Sequence, residues 1–345
     1  MTGPSATSAT RDIVVVGASA GGVEALRAMV QSLPGDLPAA VLVVLHIPPY
    51  SASALPAILH RAGKLPAAHA VDGEPLEPGR IYVAPPDSHL LVLDGRVRLS
   101  RGPHENGHRP AIDPLFRSAA RSAGPRAIGV VLSGSRDDGT GGLATLVKRG
   151  GLGLVQEPGD ALHTSMPRSA LEHVPDALVA SAAGLGDIIA ARAGEVVDGS
   201  DTPPADALLV GETDMAEFDP VTSEDLPAHP AGLGCPSCHG ALFELPGAPA
   251  PRYRCLVGHA WSPESLLDEQ ATALEGALWM ALRSLEDKAS LSRRMAEGAR
   301  RRGQHAAAGR YDTNRSDATA AAGLIRDLIS KIGNVVPPSP EVVDA

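Results

Sequence analysis

Ile13-Val-Val-Val-Gly17-Ala-Ser19-Ala-Gly21-Gly22-Val23-Glu-Ala-Leu26-Arg-Ala-Met29-Val30-Gln-Ser-Leu33 is the stretch that decides the fold. Its first four residues form a continuous apolar run, the mark of a strand buried on both faces, and Gly17 closes it. From there Val23, Leu26, Met29, Val30 and Leu33 recur at helical spacing until Pro34-Gly35 ends the segment. A second buried run, Ala40 to Leu45, follows. Strand, helix and strand in this order make a β-α-β unit, whose right-handed crossover demands parallel strands.

The alternation continues in both sequence and period. Arg80 to Ala84 reads as a strand, and His89 to Leu93 with Val97 to Leu99 as a hairpin about Asp94-Gly95. Asp113 to Arg121 is a helix, Ala127 to Leu132 a buried strand, Gly141 to Arg149 a helix and Leu152 to Gln156 a strand. This predicts an α/β fold with a doubly wound, mostly parallel sheet over residues 8–195. Residues 196–233, rich in Asp, Glu, Pro and Gly without a period, predict an acidic flexible linker. Residues 234–261 form a compact Cys/His segment, zinc-ribbon-like in its spacing. Residues 262–332 predict a C-terminal helical region, its first helix opening at Ser262-Pro263-Glu264 with a cap residue and proline at the first helical position. Leu267, Ala271, Leu274, Leu278, Ala281 and Leu285 form an a/d-like stripe, Gly303 to Gly309 breaks the helix, and Asp317 to Lys331 folds back. A helical hairpin, a coiled-coil seam for self-association, or an intramolecular core face each satisfies that stripe.

Composition excludes several functions. The 345 residues carry 30 basic against 40 acidic side chains, a net charge of -10, and only 3% aromatics. A broad electrostatic grip on nucleic acid is excluded, as are stacking platforms for single strands. No apolar run approaches the ~20 residues that span a bilayer, and Met1 to Thr10 lacks the basic and apolar regions of a signal peptide. A cytoplasmic chain without membrane insertion is expected. Three cysteines are too few for a disulfide framework.

Gly17 to Gly21 fits the nucleophile elbow G-x-S-x-G with a strand before it and a helix after it, which presents the Ser19 hydroxyl above the sheet. The competing glycine-rich dinucleotide loop fails where Ser19 takes the place of its second glycine. His46 ends the second strand, one β-α-β unit away, where it can act as a base. The loop Ser133 to Gly142 carries Asp137 and Asp138, either of which could orient His46 or cap the next helix. A Ser, His, Asp triad accounts best for these residues at equivalent strand ends. Cys235-Pro-Ser-Cys238 with Cys255-x-x-x-His259 suits tetrahedral, structural zinc, whereas a redox C-x-x-C leaves Cys255 and His259 unexplained; His239 is an alternative ligand.

Six separated motifs resemble the catalytic domain of the chemotaxis protein-glutamate methylesterase family: Gly17-Ala-Ser-Ala-Gly-Gly22, Leu45-His-Ile-Pro-Pro49, Gly79-Arg-Ile-Tyr-Val-Ala-Pro85, His108-Arg-Pro110 with Asp113, Ser133-Gly134 with Asp138-Gly139, and Met166-Pro-Arg168. The resemblance implies Ser19 as nucleophile, His46 as general base and Asp138 as orienting carboxylate. It implies hydrolysis of glutamate γ-methyl esters on chemotaxis-type receptors to glutamate and methanol, with no cofactor for catalysis, and glutamine deamidation as an accompanying activity. A methylated chemoreceptor-like protein is then the substrate partner. His108, Arg109 and Arg168 shape the cleft or serve packing and salt bridges. Family members commonly have methionine where Ser135 stands and threonine where Ala20 stands. With the first strand beginning at Ile13, the family's N-terminal receiver domain is expected to be absent, which leaves control to the C-terminal half or a regulatory partner. The alternative is a catalytically degenerate adaptor that binds a signalling partner through its zinc and helical region.

Overall fold

The buried runs at Ile13, Ala40, Ala127 and Leu152 become strands of one parallel sheet, whereas the hairpin around Asp94-Gly95 forms a two-stranded antiparallel sheet of its own. The computed structural model describes residues 9–50, 53–198, 202, 204–217 and 228–332. In chain order these form β1 (Ala9–Thr10), β2 (Ile13–Ala18), α1 (Gly22–Gln31), β3 (Ala40–Leu45), α2 (Leu55–Ala62), β4 (Ala67–His69) and β5 (Ile81–Val83). A hairpin follows, β6 (His89–Leu93) and β7 (Arg96–Ser100), then α3 (Ile112–Ser122), β8 (Ala127–Val131), α4 (Thr140–Lys148) and β9 (Leu152–Gln156). Next come α5 (Ser165–His173), β10 (Leu178–Ala180), α6 (Ala182–Arg192) and β11 (Val196–Val197). The remainder is α7 (Ala207–Ala216), β12 (His229–Gly234), β13 (Ala241–Glu244), β14 (Tyr253–Cys255), β15 (Ala260–Trp261), α8 (Pro263–Arg301) and α9 (His305–Ile332).

Seven strands form the central sheet in the order β10-β9-β8-β2-β3-β5-β4, all parallel. Because successive strand residues face opposite sides, β2 feeds two cores. Ile13 and Val15 join Leu115, Phe116, Leu143, Leu146 and Met166 from α3, α4 and α5. Val14, Val16 and Ala18 join Leu26, Met29, Leu59, Leu185 and Ile189 from α1, α2 and α6. That covering of both faces is the doubly wound arrangement, and it explains why these strands read as unbroken aliphatic runs. β1 pairs antiparallel with β11, Ala9 opposite Val197.

The chain divides into two compact units, one reaching Leu266 and one beginning at Leu267. The Cys/His segment, read from the sequence as a module of its own, belongs to the first unit with the sheet. Its β12, β13, β14 and β15 form a four-stranded antiparallel sheet over a small core of Leu242, Trp261 and Leu266.

The linker expectation needs correction. Residues 199–201, 203 and 218–227 lie outside the described residues, but within 196–233 the chain forms α7, with Leu208, Leu209 and Met215 buried. Asp206 caps it, its Oδ1 accepting from the Leu209 N–H at 2.9 Å. Acidic composition predicted solvation here, whereas Glu212 is buried and ion-paired.

In the second unit α8 and α9 run antiparallel, tied by Glu286 with Arg326 and Arg300 with Asp312. The reversal sits at Gly303, whose φ is 71°, and α9 starts at His305 rather than near Asp317. Ala306, Ala307 and Ala308 outweigh the cost of Gly309 inside the helix. Leu267 and Leu274 of the predicted stripe are 68% and 51% exposed. No helix among the described residues is long and apolar enough to cross a membrane.

Candidate active site

Ser19, His46 and Asp138 meet at the carboxyl edge of the sheet, where β2, β3 and β8 lie side by side. Ala18 and Leu45 are register partners, and the His46 N–H donates to the Ala18 carbonyl at 3.1 Å as the last rung of the β2–β3 ladder. Ser19 and His46 therefore leave adjacent strands at the same height. Between β2 and α1 the chain turns through Gly21 with φ 70°, where a Cβ would lie 2.7 Å from Ser133 Oγ and 2.8 Å from Leu162 Cβ. Only glycine fits that turn. Ser133 pins it, donating its hydroxyl to the Ala20 carbonyl at 2.8 Å and accepting the Ser19 N–H on its own carbonyl at 2.9 Å.

The His46 ring spans the other two residues, with Nδ1 3.1 Å from Ser19 Oγ and Nε2 2.8 Å from Asp138 Oδ2. A carboxylate only accepts, so the Nε2 proton is directed at Asp138 and Nδ1 is left as the acceptor facing the Ser19 hydroxyl. The side chains of His46 and Asp138 are 6% and 2% exposed. Burial alone would raise the Asp138 carboxyl, but hydrogen bonding and charge from His46 and the Ile112 N–H hold it well below the usual carboxylate range. The Ile112 N–H donates to Oδ2 at 2.7 Å, and those of Gly139 and Asp113 to Oδ1 at 3.0 and 3.3 Å. Two of these N–H groups belong to the first turn of α3, so a helix N-terminus faces the anion.

His108 stacks on His46, ring centroids 3.7 Å apart and planes at 13°. Burial, with His46 beside it, lowers His108 to about 3, so it is neutral at ordinary pH. Gly134 lies against Ser19: an added Cβ would stand 2.0 Å from Met166 Sδ and 2.9 Å from Ser19 Cβ. Arg109 is taken by a salt bridge, its guanidinium on Asp87 at 2.6 Å and on the Arg101 and Gly102 carbonyls. Arg168 and Ser135 are exposed. Asp137 does not reach His46; it accepts hydroxyl protons from Ser262 at 2.6 Å and Ser265 at 3.0 Å.

Cys235, Cys238, Cys255 and His259 also converge, their ligand atoms all within 4.8 Å of one another. Cys238 Sγ is 3.6 Å from Cys255 Sγ, which in turn is 3.5 Å from His259 Nδ1. Tetrahedral zinc with Zn–S bonds of about 2.3 Å would set an S···S edge of about 3.8 Å, so this spacing fits. The two buried thiols are pushed in opposite directions, Cys235, against its burial, down by the Cys238 and Ser237 backbone and Cys255 up to about 11 by burial and the neighbouring thiols, so it is the convergence of the four ligand atoms that fits a metal. His239 is exposed and stands outside the cluster.

Several contacts around the site escaped sequence reading, although Asp113 itself stands in one of the motifs. Asn106 donates Nδ2–H to Asp138 Oδ1 at 2.9 Å. Glu105, Arg117, Arg254, Glu212, Arg252 and Asp113 form a buried ionic chain, with links of 2.7 Å for Glu105–Arg117, 3.0 Å for Glu105–Arg254, 3.0 Å for Arg254–Glu212, 2.8 Å for Glu212–Arg252 and 3.4 Å for Arg252–Asp113. Burial would raise Glu212, yet Arg252, Arg117 and Arg254 hold it down to about 2. Asp113 is pushed up to about 6 by burial, against the pull of Arg252. These contacts lie far apart in sequence; the one local signal is the left-handed asparagine turn Asn106-Gly107, with φ 52° and 80°.

Comparison with known proteins identifies the family to which this fold belongs. The family model for CheB methylesterase matches residues 14–189. The chain is 40% identical over 165 residues to protein-glutamate methylesterase/protein-glutamine glutaminase 1 of Xanthomonas euvesicatoria pv. vesicatoria, covering 47% of this chain and 46% of that one. A protein of the same name from Xanthomonas campestris pv. campestris is 38% identical over 189 residues, covering 50% and 52%. The protein-glutamate methylesterase/protein-glutamine glutaminase of Yersinia pestis bv. Antiqua is 40% identical over 163 residues, with 46% of each chain covered. The chain thus spans about half the length of the curated relatives it matches. The crystal structure of the Thermotoga maritima CheB methylesterase catalytic domain superposes with a TM-score of 0.51 at 31% identity, covering 53% of this chain and 98% of that one. By its sheet, its motifs and the family model that spans half of it, the chain belongs to the CheB methylesterase family.

Proposed function

We propose that this protein is a protein-glutamate methylesterase, a serine hydrolase that converts glutamate γ-methyl esters on a chemoreceptor-like protein to glutamate and methanol. The observation that carries this reading is the His46 ring bonded at once to Ser19 Oγ and Asp138 Oδ2 at the end of adjacent parallel strands. Ser19 Oγ attacks the ester carbonyl carbon while its proton passes to His46 Nδ1. The tetrahedral intermediate collapses, the bond to the methoxy oxygen breaks, and His46 returns the proton so that methanol leaves. Water then adds to the acyl-enzyme, giving a proton to His46; the bond to Ser19 Oγ breaks, and the serine regains its proton. Asp138 stays ionised throughout and steadies the imidazolium. The Ala20 N–H, at the mouth of α1, is the donor this elbow offers the oxyanion. A glutamine side chain entering the same path would release ammonia, in keeping with the second half of the relatives' names.

Zinc in the Cys235, Cys238, Cys255 and His259 cluster would supply structural cross-linking of the small antiparallel sheet and no chemistry at Ser19. The exposed face of α8 that begins with Leu267 and Leu274 is offered to a regulatory protein or a second copy.

The test is methanol release from a methylated chemoreceptor fragment, with fluorophosphonate labelling alongside. Wild type should release methanol and take the label, and Ser19→Ala should do neither. A Ser19→Ala protein with wild-type turnover would end this reading, and an unlabelled, inactive wild type would favour the adaptor.

A further inference from the structure

The catalytic carboxylate proposed above is held by more than its own loop. Of the groups donating to Asp138 among the described residues, Ile112, Asp113 and Gly139 offer backbone N–H, and His46 and Asn106 offer side chains. His46 takes Oδ2 at 2.8 Å and Asn106 takes Oδ1 at 2.9 Å, so side-chain bonds fix both oxygens. Asn106 is 3% exposed, and its amide is used at both ends. Its Oδ1 accepts the Ser262 N–H at 2.8 Å, while its Nδ2 donates to Asp138 Oδ1 at 2.9 Å and, at a longer 3.4 Å, to Asp113 Oδ2. A backbone N–H can only donate and a carboxylate can only accept, so this orientation of the amide is the single one that satisfies both neighbours.

Asn106 is in turn gripped by the Cys/His segment. Its own N–H donates to the Ala260 carbonyl at 2.8 Å, and the Ala260 N–H donates to the His104 carbonyl at 3.3 Å. Ala260 directly follows His259, one of the four clustered ligands. Glu105, next to Asn106, is buried against Arg254 of β14 at 3.0 Å. The residue also occupies the left-handed region with φ 52°, a conformation asparagine tolerates better than most side chains.

We propose that Asn106 is a positioning residue for the esterase reaction, orienting Asp138 toward His46 and itself set in place by the chain that follows His259. The proposal rests on the assignment of Ser19, His46 and Asp138 as the triad. It makes the Cys/His segment part of the active-site framework, joined to Ser19 through Ser262, Asn106, Asp138 and His46.

Two variants of the full chain test it, assayed for methanol release across pH beside wild type and Ser19→Ala. Asn106→Asp keeps an acceptor for the Ser262 N–H but replaces the donor facing Asp138 with an oxygen. The added anion favours protonated His46, so the acid limb of kcat/KM should move to higher pH. Asn106→Gly keeps the left-handed backbone and removes the side-chain contacts to Ser262, Asp138 and Asp113; kcat should fall about 10- to 100-fold, the range common for partners of first-contact groups, with KM within about twofold. Melting temperatures establish that each variant is folded, and a merely structural role would leave the pH limb in place. An Asn106→Asp profile superimposable on wild type overturns the proposal. So does an Asn106→Gly kcat within twofold of wild type, even where Asn106→Asp does not fold. Should Ser19→Ala prove active, the triad assignment fails instead, which separates the two outcomes.

Discussion

The imidazole of His108 lies flat on that of His46, 3.7 Å between centroids and 13° from parallel. A ring so placed blocks rotation of His46 away from the line joining Ser19 to Asp138. His108→Phe, which keeps a flat ring, is expected to retain kcat within a few-fold. His108→Ala should lose about 10- to 100-fold, because a base displaced by a fraction of an ångström forfeits its alignment. Equal kcat for the two variants in the methanol assay would contradict a positional role for the stack.

Gly134 offers a second test of alignment. A methyl there must push Met166, Ser19 or both, since the added carbon would sit 2.0 Å from Met166 Sδ and 2.9 Å from Ser19 Cβ. Gly134→Ala should slow fluorophosphonate labelling of Ser19 by at least about tenfold with little change in melting temperature. Pairing it with Met166→Ala, which vacates the space, should recover part of the rate.

The buried ionic chain predicts a stability effect. Arg254 holds both Glu105 and Glu212 at 3.0 Å, with each side chain no more than 4% exposed. Arg254→Met leaves two buried carboxylates short of a partner and should cost about 3–5 kcal/mol in urea denaturation. An Arg254→Met variant as stable as wild type would show that the chain contributes nothing.

The Cys/His cluster has an optical reporter. The protein has two tryptophans; Trp261 is fully buried beside the cluster and Trp279 is 53% exposed. Wild type should carry one zinc per chain, and Cys235→Ser with Cys238→Ser should carry none. Chelation should shift tryptophan emission to longer wavelength as Trp261 meets water, and Trp261→Phe should abolish that shift. Stoichiometric zinc in the double variant would rule out this site.

Acid should destabilise the first unit through His89. This histidine is fully buried, and the desolvation of its charged form lowers it from 6.5 to about 4. Between those values the unfolded chain binds more protons than the folded one, so stability falls as pH drops from about 6.5 to about 4. His89→Gln, able to keep a donor for the Pro103 carbonyl and an acceptor for the Ala111 N–H, should flatten that part of the urea-midpoint profile. An unchanged slope would assign the acid sensitivity to other groups.

Much of this site was legible before the fold. Ile13–Val16 and Ala40–Leu45 announced their strands because a parallel sheet covered on both faces tolerates nothing but aliphatic residues there. Ser19 and His46 followed, since a residue just past a buried run has one place to go. Asp138 could be told from Asp137 only by family resemblance: both sit in one loop, and the direction each carboxylate takes depends on Ile112 and Ser262, distant in sequence. Asn106 had no local signature beyond its turn. Helix α7 was concealed by averaging, because acidic composition counts Glu212 as a solvated charge whatever side of the helix it occupies. Ion pairs between Glu105 and Arg254 leave no periodic trace, as pairing across the fold sets no spacing along the chain.

β1 and β11 lie against each other as an antiparallel pair, Ala9 opposite Val197 and Thr10 opposite Val196. The α/β portion is therefore entered and left at the same edge, like a cassette with both leads on one side. A chain of this kind can be cut elsewhere and rejoined there by a short connection, or spliced into another protein, without stretching the sheet. Whatever is attached to either lead starts from the same corner of the fold.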